Sequence, residues 1–299
     1  MDFALVDHGS ASRLFSLSRV ADAQVPVLVA VPHAGRDYPD SMLANVRVAR
    51  HVLEKLEDRH ADLLLSAAQD AGCATLTAHV ARAWLDLNRA PNEIDPQMII
   101  DAPRTAYAQP SIKVRGGLGL VPRRLADHGE LWQRPWPRAD ISARINSLHE
   151  PYHRTLALAL SALRARFGAA VLVDLHSMPP LRPEGAGPAP QIVVGDRYGR
   201  SAGTRLCDLA VQTLARRNFT VTLNHPYAGG YVLERHGRPA SGIHALQIEI
   251  DRSLYLDSAL RDVGPGLGAV RDAIGHLVKA LADDVMAARD TGDFAIAAE

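Results

Sequence analysis

Apolar residues recur along this chain in two rhythms. Short β-branched runs at 26–31 (PVLVAV), 169–173 (AAVLV) and 191–195 (QIVVG) are too brief for helices and read as buried strands. Further strands are expected at 74–80, 83–87, 219–223 and 245–250, the last with apolar–polar alternation. Between the strands the spacing changes to three and four. Val52, Leu56, Leu63 and Ala67 predict an amphipathic helix over 52–71, ended by Gly72. Ile141, Ile145, Leu148, Tyr152, Leu156, Ala159, Leu163 and Phe167 predict a long helix, kinked at Pro151 and closed by Gly168. A short helical piece at 40–50 and helices at 201–217 and 267–288 complete the set.

Two stretches carry neither rhythm. Residues 88–137 read as a loop containing Gly116-Gly117-Leu118-Gly119, and 178–190 (MPPLRPEGAGPAP) is rich in proline and glycine. Long connections of this kind usually line sites. The strand–helix alternation predicts an α/β fold: a three-layer α/β/α arrangement around a mixed, mainly parallel sheet. No internal repeat or compositional break divides the 299 residues, so one domain over 1–299 is expected.

Composition acts mainly by exclusion. Lys plus Arg equals Asp plus Glu at 33 each, so no net field draws the chain to nucleic acid or a membrane surface. Two cysteines, Cys73 and Cys207, form no C-x-x-C, which argues against a disulfide framework or a cysteine zinc cluster. The opening MDFALVDHGS lacks a basic region followed by an apolar core, and no apolar run approaches the ~20 residues of a membrane span. A cytoplasmic protein with a small-molecule partner is expected. The pattern sets no oligomeric state.

The chemistry concentrates where strands end. His33 follows the first apolar run and His176 the second, and open α/β sheets hold their ligands beyond the carboxyl ends of strands. Two imidazoles delivered there, with a carboxylate, would make a three-ligand metal site with an open position that activates water. Asp174, two before His176, shares its face in an extended strand and is placed to orient that ring. Asp58 is the preferred carboxylate ligand, with Glu57 as the alternative. Glu249, flanked by Ile248 and Ile250, is the candidate general base. Arg89 suits bidentate capture of a substrate carboxylate, with Asn88 adding polar contacts. Arg123 and Arg252 are further candidate anion contacts. In the loop Tyr227-Ala-Gly229-Gly230-Tyr231, glycines would let backbone approach a ligand.

Taken in order, these phrases resemble the N-formylglutamate amidohydrolase (deformylase) family. The matching stretches are VPHAGRDYP (31–39), LEDRHADLL (56–64), DLNRAPNEIDPQM (86–98), VDLHSMP (173–179), IVVGDRYG (192–199), PYAGGYV (226–232) and GRPASGIHALQIEIDRSLY (237–255). They span a core of about 25–257, followed by a closing helix near 266–289. The resemblance implies a zinc-dependent hydrolase of zinc-carboxypeptidase-like fold. By that implication His33 and His176 hold the metal with Asp58 or Glu57, Glu249 activates water, and Asn88 with Arg89 clamps a substrate carboxylate. Position 36, where a carboxypeptidase His-x-x-Glu would place its glutamate, is arginine. The carboxylate must then come from elsewhere.

The expected activity is hydrolysis of a short N-acyl group, formyl by default, from an acidic amino acid such as N-formyl-L-glutamate, with one Zn2+ ion. Alternatives are a deacylase of another N-acyl amino acid, or an amidase acting on a polymer. From other classes come a non-haem iron oxidoreductase using the same two-histidine, one-carboxylate set, and a non-catalytic binding protein on the same scaffold.

Overall fold

The computed structural model describes residues 11–100, 111–183 and 187–291. The expectation drawn from the opening MDFALVDHGS concerns residues 1–10 and lies outside the described residues, as do 101–110 and 184–186 of the two long loops. The strands are β1 (Phe15–Ser18), β2 (Val27–Val31), β3 (Ala74–Ala78), β4 (Arg124–Leu125), β5 (Gly129–Glu130), β6 (Ala170–Met178), β7 (Ile192–Gly195), β8 (Val221–Leu223) and β9 (Ile243–Asp251). Seven of them form one sheet in the order β1–β3–β2–β6–β9–β7–β8. The centre, β3–β2–β6–β9, is parallel; β1 and β7 join antiparallel, and β8 runs parallel to β7. Strands β4 and β5 pair as a separate ribbon.

Central strands buried on both faces explain the uninterrupted apolar runs. On β2, Leu28 and Ala30 enter one core while Val27, Val29 and Val31 enter the other. The first core lies under the helix Glu150–Phe167, which contributes Tyr152, Leu156, Leu160 and Leu163. The second is covered by the helices Leu65–Asp70, Thr204–Ala215 and Leu267–Thr291. This is the α/β/α layering that the alternation predicts.

The long helix is irregular where Pro151 enters it. Residues Ile145–His149 form a π turn immediately before Glu150–Phe167, where Pro151 supplies no backbone N–H. Gly168 ends the helix at φ 90°, a left-handed value that costs glycine little.

Three predicted elements differ. The helix expected over 52–71 is broken into Arg50–Leu53, a 3-10 turn Glu54–Leu56, an extended Glu57, and Ala61–Leu64 running into Leu65–Asp70. Its halves serve opposite cores: Val52, Leu53 and Leu56 pack in one, Ala61, Leu64 and Leu65 in the other. Leu63, counted in the predicted stripe, is 40% exposed. The run 83–87 forms no strand; it is a buried turn tied to the long loop through Asp86 N–H donating to Leu120 O at 2.7 Å. Finally, β6 continues to Met178, so Asp174 and His176 lie within the strand. Among the described residues no helix is long and apolar enough to cross a membrane.

Candidate active site

Two neighbouring parallel strands change chemistry toward their carboxyl ends. On β6, Ala170 and Leu172 face the core beneath Glu150–Phe167, and Asp174 and His176 continue that face. On β9, Ala245 faces the same core and Gln247 and Glu249 follow it. The register pairs Asp174 with Gln247 and His176 with Glu249. Apolar packing thus gives way to a polar patch where α/β folds bind ligands.

His33, two residues beyond β2, reaches this patch from the adjacent strand; its ring centroid lies 4.7 Å from that of His176. Asp58 arrives through the broken helix, where its N–H donates to the His33 carbonyl at 2.9 Å. Its Oδ2 is 2.9 Å from His176 Nδ1 and 3.5 Å from His33 Nδ1. One ligand atom from each of His33, Asp58 and His176 falls within 4.8 Å of the other two, and all three residues are buried. Burial alone would raise the Asp58 pKa, but the two imidazoles hold its carboxyl well below the ordinary range.

The far side of each imidazole meets another carboxylate. His33 Nε2 faces Asp86 Oδ1 at 2.7 Å, and His176 Nε2 faces Asp174 Oδ2 at 2.9 Å. Such partners fix the tautomer and aim Nδ1 at the common point. Asp86 is anchored in turn by Arg82 Nε, which donates to Oδ2 at 2.8 Å. The second oxygen of Asp58 accepts from Arg252 Nη2 at 3.0 Å and from Ser177 Oγ at 3.2 Å. Two nitrogens and one carboxylate oxygen, each braced from behind, fit a catalytic zinc set with an open position.

The two candidate carboxylates separate in space. Asp58 enters the cluster, whereas Glu57 turns to Tyr38 and to Arg59 Nη1, the latter at 2.9 Å. Glu249 lies beside the cluster, with Oε1 accepting from Gln247 Nε2 at 2.9 Å. Burial raises its pKa, opposed by the His176 ring. Burial likewise raises the Tyr227 phenol, and the Glu249 carboxylate adds to it. The Tyr227 backbone lies against this patch: a Cβ on Gly195, the register partner of Gln247, would come within 2.9 Å of the Tyr227 carbonyl oxygen.

The remaining expected contacts divide. Arg89 is buried; its Nε donates to Leu118 O at 2.9 Å and its Nη1 to Asn88 O at 2.8 Å. Asn88 is engaged by protein on both ends of its amide. Its Oδ1 accepts from Val232 N–H at 2.9 Å, and its Nδ2 lies 3.1 Å from His176 Nε2. Gly230 packs directly on this amide, where a Cβ would come within 2.4 Å of Oδ1. Its N–H donates to Gln247 Oε1 at 3.0 Å, while Gly229 takes φ 115°. Arg252 braces Asp58 from behind the cluster. Arg123 is not brought to it: its guanidinium pairs with Asp95 at 2.7 Å and with Glu130.

Sequence reasoning passed over Asp86, Arg82 and Gln247. Gln247 was legible, because alternation on 245–250 puts it on the face of Glu249. Asp86 and Arg82 were not, since the run 83–87 carries the pattern of a strand and forms a turn.

Comparison with known proteins shows the family of the chain. The sequence model of the family N-formylglutamate amidohydrolase matches residues 25–256. N-formylglutamate deformylase of Pseudomonas aeruginosa is 31% identical over 239 residues, covering 78% of this chain and 83% of that protein. The deformylase of Pseudomonas putida is 30% identical over 237 residues, with the same coverage. The crystal structure of N-formylglutamate amidohydrolase from Ralstonia eutropha superposes with a TM-score of 0.83 at 31% identity, covering 91% of this chain and 98% of that one. A protein of Agrobacterium tumefaciens at 18% identity shares the fold, with a TM-score of 0.65 over 94% of this chain and 98% of that one. The chain belongs to the N-formylglutamate amidohydrolase family.

Proposed function

We propose that this protein is a zinc-dependent deformylase that hydrolyses N-formyl-L-glutamate to formate and glutamate. The observation that carries this reading is the buried His33–Asp58–His176 cluster with Glu249 one strand away on the same face. The names of its Pseudomonas and Ralstonia relatives supply the substrate. A zinc ion held by His33 Nδ1, Asp58 Oδ2 and His176 Nδ1 would polarise the formyl carbonyl and make water nucleophilic near neutral pH.

The protein groups divide the remaining work. Glu249 takes a proton from the attacking water as the C–O bond forms, then delivers it to the amide nitrogen as the C–N bond breaks. Burial that raises its pKa strengthens it as the base that takes the water proton. Arg82, fixed through Nε by Asp86, offers its outer guanidinium nitrogens to the negative charge that develops on the formyl oxygen. Arg89 receives a substrate carboxylate.

The test is a panel of N-formyl, N-acetyl and N-succinyl derivatives of glutamate and aspartate, assayed with and without a chelator. N-formyl-L-glutamate should give the highest kcat/KM, with activity lost on chelation and restored by zinc. Turnover insensitive to metal removal would overturn the mechanism; preference for another acyl group would overturn the substrate.

A further inference from the structure

N-formylglutamate carries two carboxylates, and the arginines expected to read them are partly committed. Arg123 is paired away from the site, and Arg252 is consumed by Asp58, Ser177 and the Lys55 carbonyl. Of the expected arginines Arg89 remains, with Nε and Nη1 on backbone carbonyls and Nε 3.9 Å from Asp86 Oδ2. A second cation nearby has no such commitment. Lys113 sits on the short helix Ile112–Arg115. Its carbonyl accepts from Leu118 N–H at 2.8 Å, and Leu118 O accepts from Arg89 Nε at 2.9 Å. One turn of backbone therefore joins the two cations.

The Lys113 ammonium reaches back over the Tyr227 ring, 5.9 Å from its centroid. Tyr227 in turn feels the Glu249 and Asp58 carboxylates. No carboxylate among the described residues forms an ion pair with Lys113. Lys113 is an exposed residue, yet its surroundings lower the pKa of its ammonium, first through partial burial and then through the Arg89 and Arg82 charges. The Arg89 and Arg82 charges repel the Lys113 ammonium, Glu249 and Asp86 offset them only in part, and a bound anion relieves the remaining repulsion.

We infer that Lys113, placed over Tyr227 and one backbone turn from Arg89, is the second anion anchor of the site. Arg89 takes one substrate carboxylate and Lys113 the other. Selection of a dicarboxylate N-acyl amino acid over a monocarboxylate one then lies in Lys113. This inference rests on the proposed deformylase reading for the identity of the substrate.

Binding without turnover tests it. Glutarate reproduces the two carboxylates of glutamate, and butyrate keeps only one. In calorimetry on the zinc-loaded protein, glutarate should bind at least about tenfold tighter than butyrate, the scale of one added partly desolvated ion pair. Lys113→Met should reduce that preference to within about twofold, and Lys113→Arg should keep most of it. A wild type without the preference, or a Lys113→Met variant that retains it, would overturn the anchor. Failure of the wild type to hydrolyse N-formylglutamate would overturn the deformylase reading alone, because the glutarate preference is measured without chemistry.

Discussion

His176 and Glu249 are register partners across the parallel β6–β9 pair, so both side chains leave the sheet on one face at one level. The imidazole proposed to hold the metal and the carboxylate proposed as the base are thereby fixed relative to each other by backbone hydrogen bonding. Loops need not find this arrangement. Catalytic groups carried on a rigid sheet keep their separation when the surrounding loops move.

The first prediction separates chemistry from metal binding. Glu249→Gln keeps the shape and the neighbouring Gln247 contact region but removes the proton acceptor. Loss of a general base should lower kcat by at least about a hundredfold. Zinc content by elemental analysis should stay at the wild-type level, since Glu249 is outside the ligand cluster. Near-normal kcat in this variant would assign the base elsewhere.

The second prediction decides between adjacent carboxylates. Asp58→Asn removes an anionic oxygen that lies 2.9 Å from His176 Nδ1, and should release the metal on dialysis. Glu57→Gln alters contacts to Tyr38 and Arg59 only, and should keep it. The reverse result would exchange their roles.

The third concerns a residue that touches neither metal nor substrate. Asp86 accepts from His33 Nε2 at 2.7 Å and from Arg82 at 2.8 Å, so Asp86→Asn weakens the brace behind one ligand. Outer partners of this kind are worth about 10–100-fold in metal affinity. Competition with a chromogenic chelator should show a loss on that scale. An unchanged zinc affinity would reduce Asp86 to a structural ion pair.

Particular residues show what the sequence reveals. The runs at 26–31 and 169–173 are legible as strands because buried parallel strands demand apolar residues on both faces. His33 and His176 are legible because each sits beside such a run. Asp174 and His176, by contrast, look like the end of β6 when they are its continuation, because a strand that enters a polar site stops looking buried. Asp58 is reached through a helix break that no local periodicity announces; it exists because residues 52–56 and 61–65 pack on opposite sides of one sheet. The commitments of Arg123 and Arg252 are hardest of all. An arginine pairs with whichever carboxylate tertiary folding brings near, and Asp95 and Asp58 are distant in sequence.

The fourth prediction comes from histidines beneath the site. His149 Nε2 donates to the Arg89 carbonyl at 2.9 Å and His153 Nε2 to the Leu87 carbonyl at 3.0 Å, so this pair brackets Asn88 from below. His153 Nδ1 in turn accepts from His236 Nε2 at 2.9 Å, an arrangement that requires the His153 ring to be neutral. Burial lowers the His236 pKa to about 3, and the nearby Arg235 and Arg238 charges push in the same direction. The unfolded chain takes up this proton near pH 6.5, the ordinary histidine value. The folded protein does not. Stability from neutral His236 is therefore intact above that pH and eroded as pH falls toward the folded value, by about 2 kcal/mol at pH 5. His236→Gln keeps a hydrogen-bonding side chain and removes the titration. Its destabilisation relative to wild type, read from urea unfolding, should be largest at pH 7.5 and shrink by about that amount at pH 5. A difference that stays constant across this range would mean that the ring takes up its proton at the same pH in the folded and unfolded protein, so that burial does not hold His236 neutral.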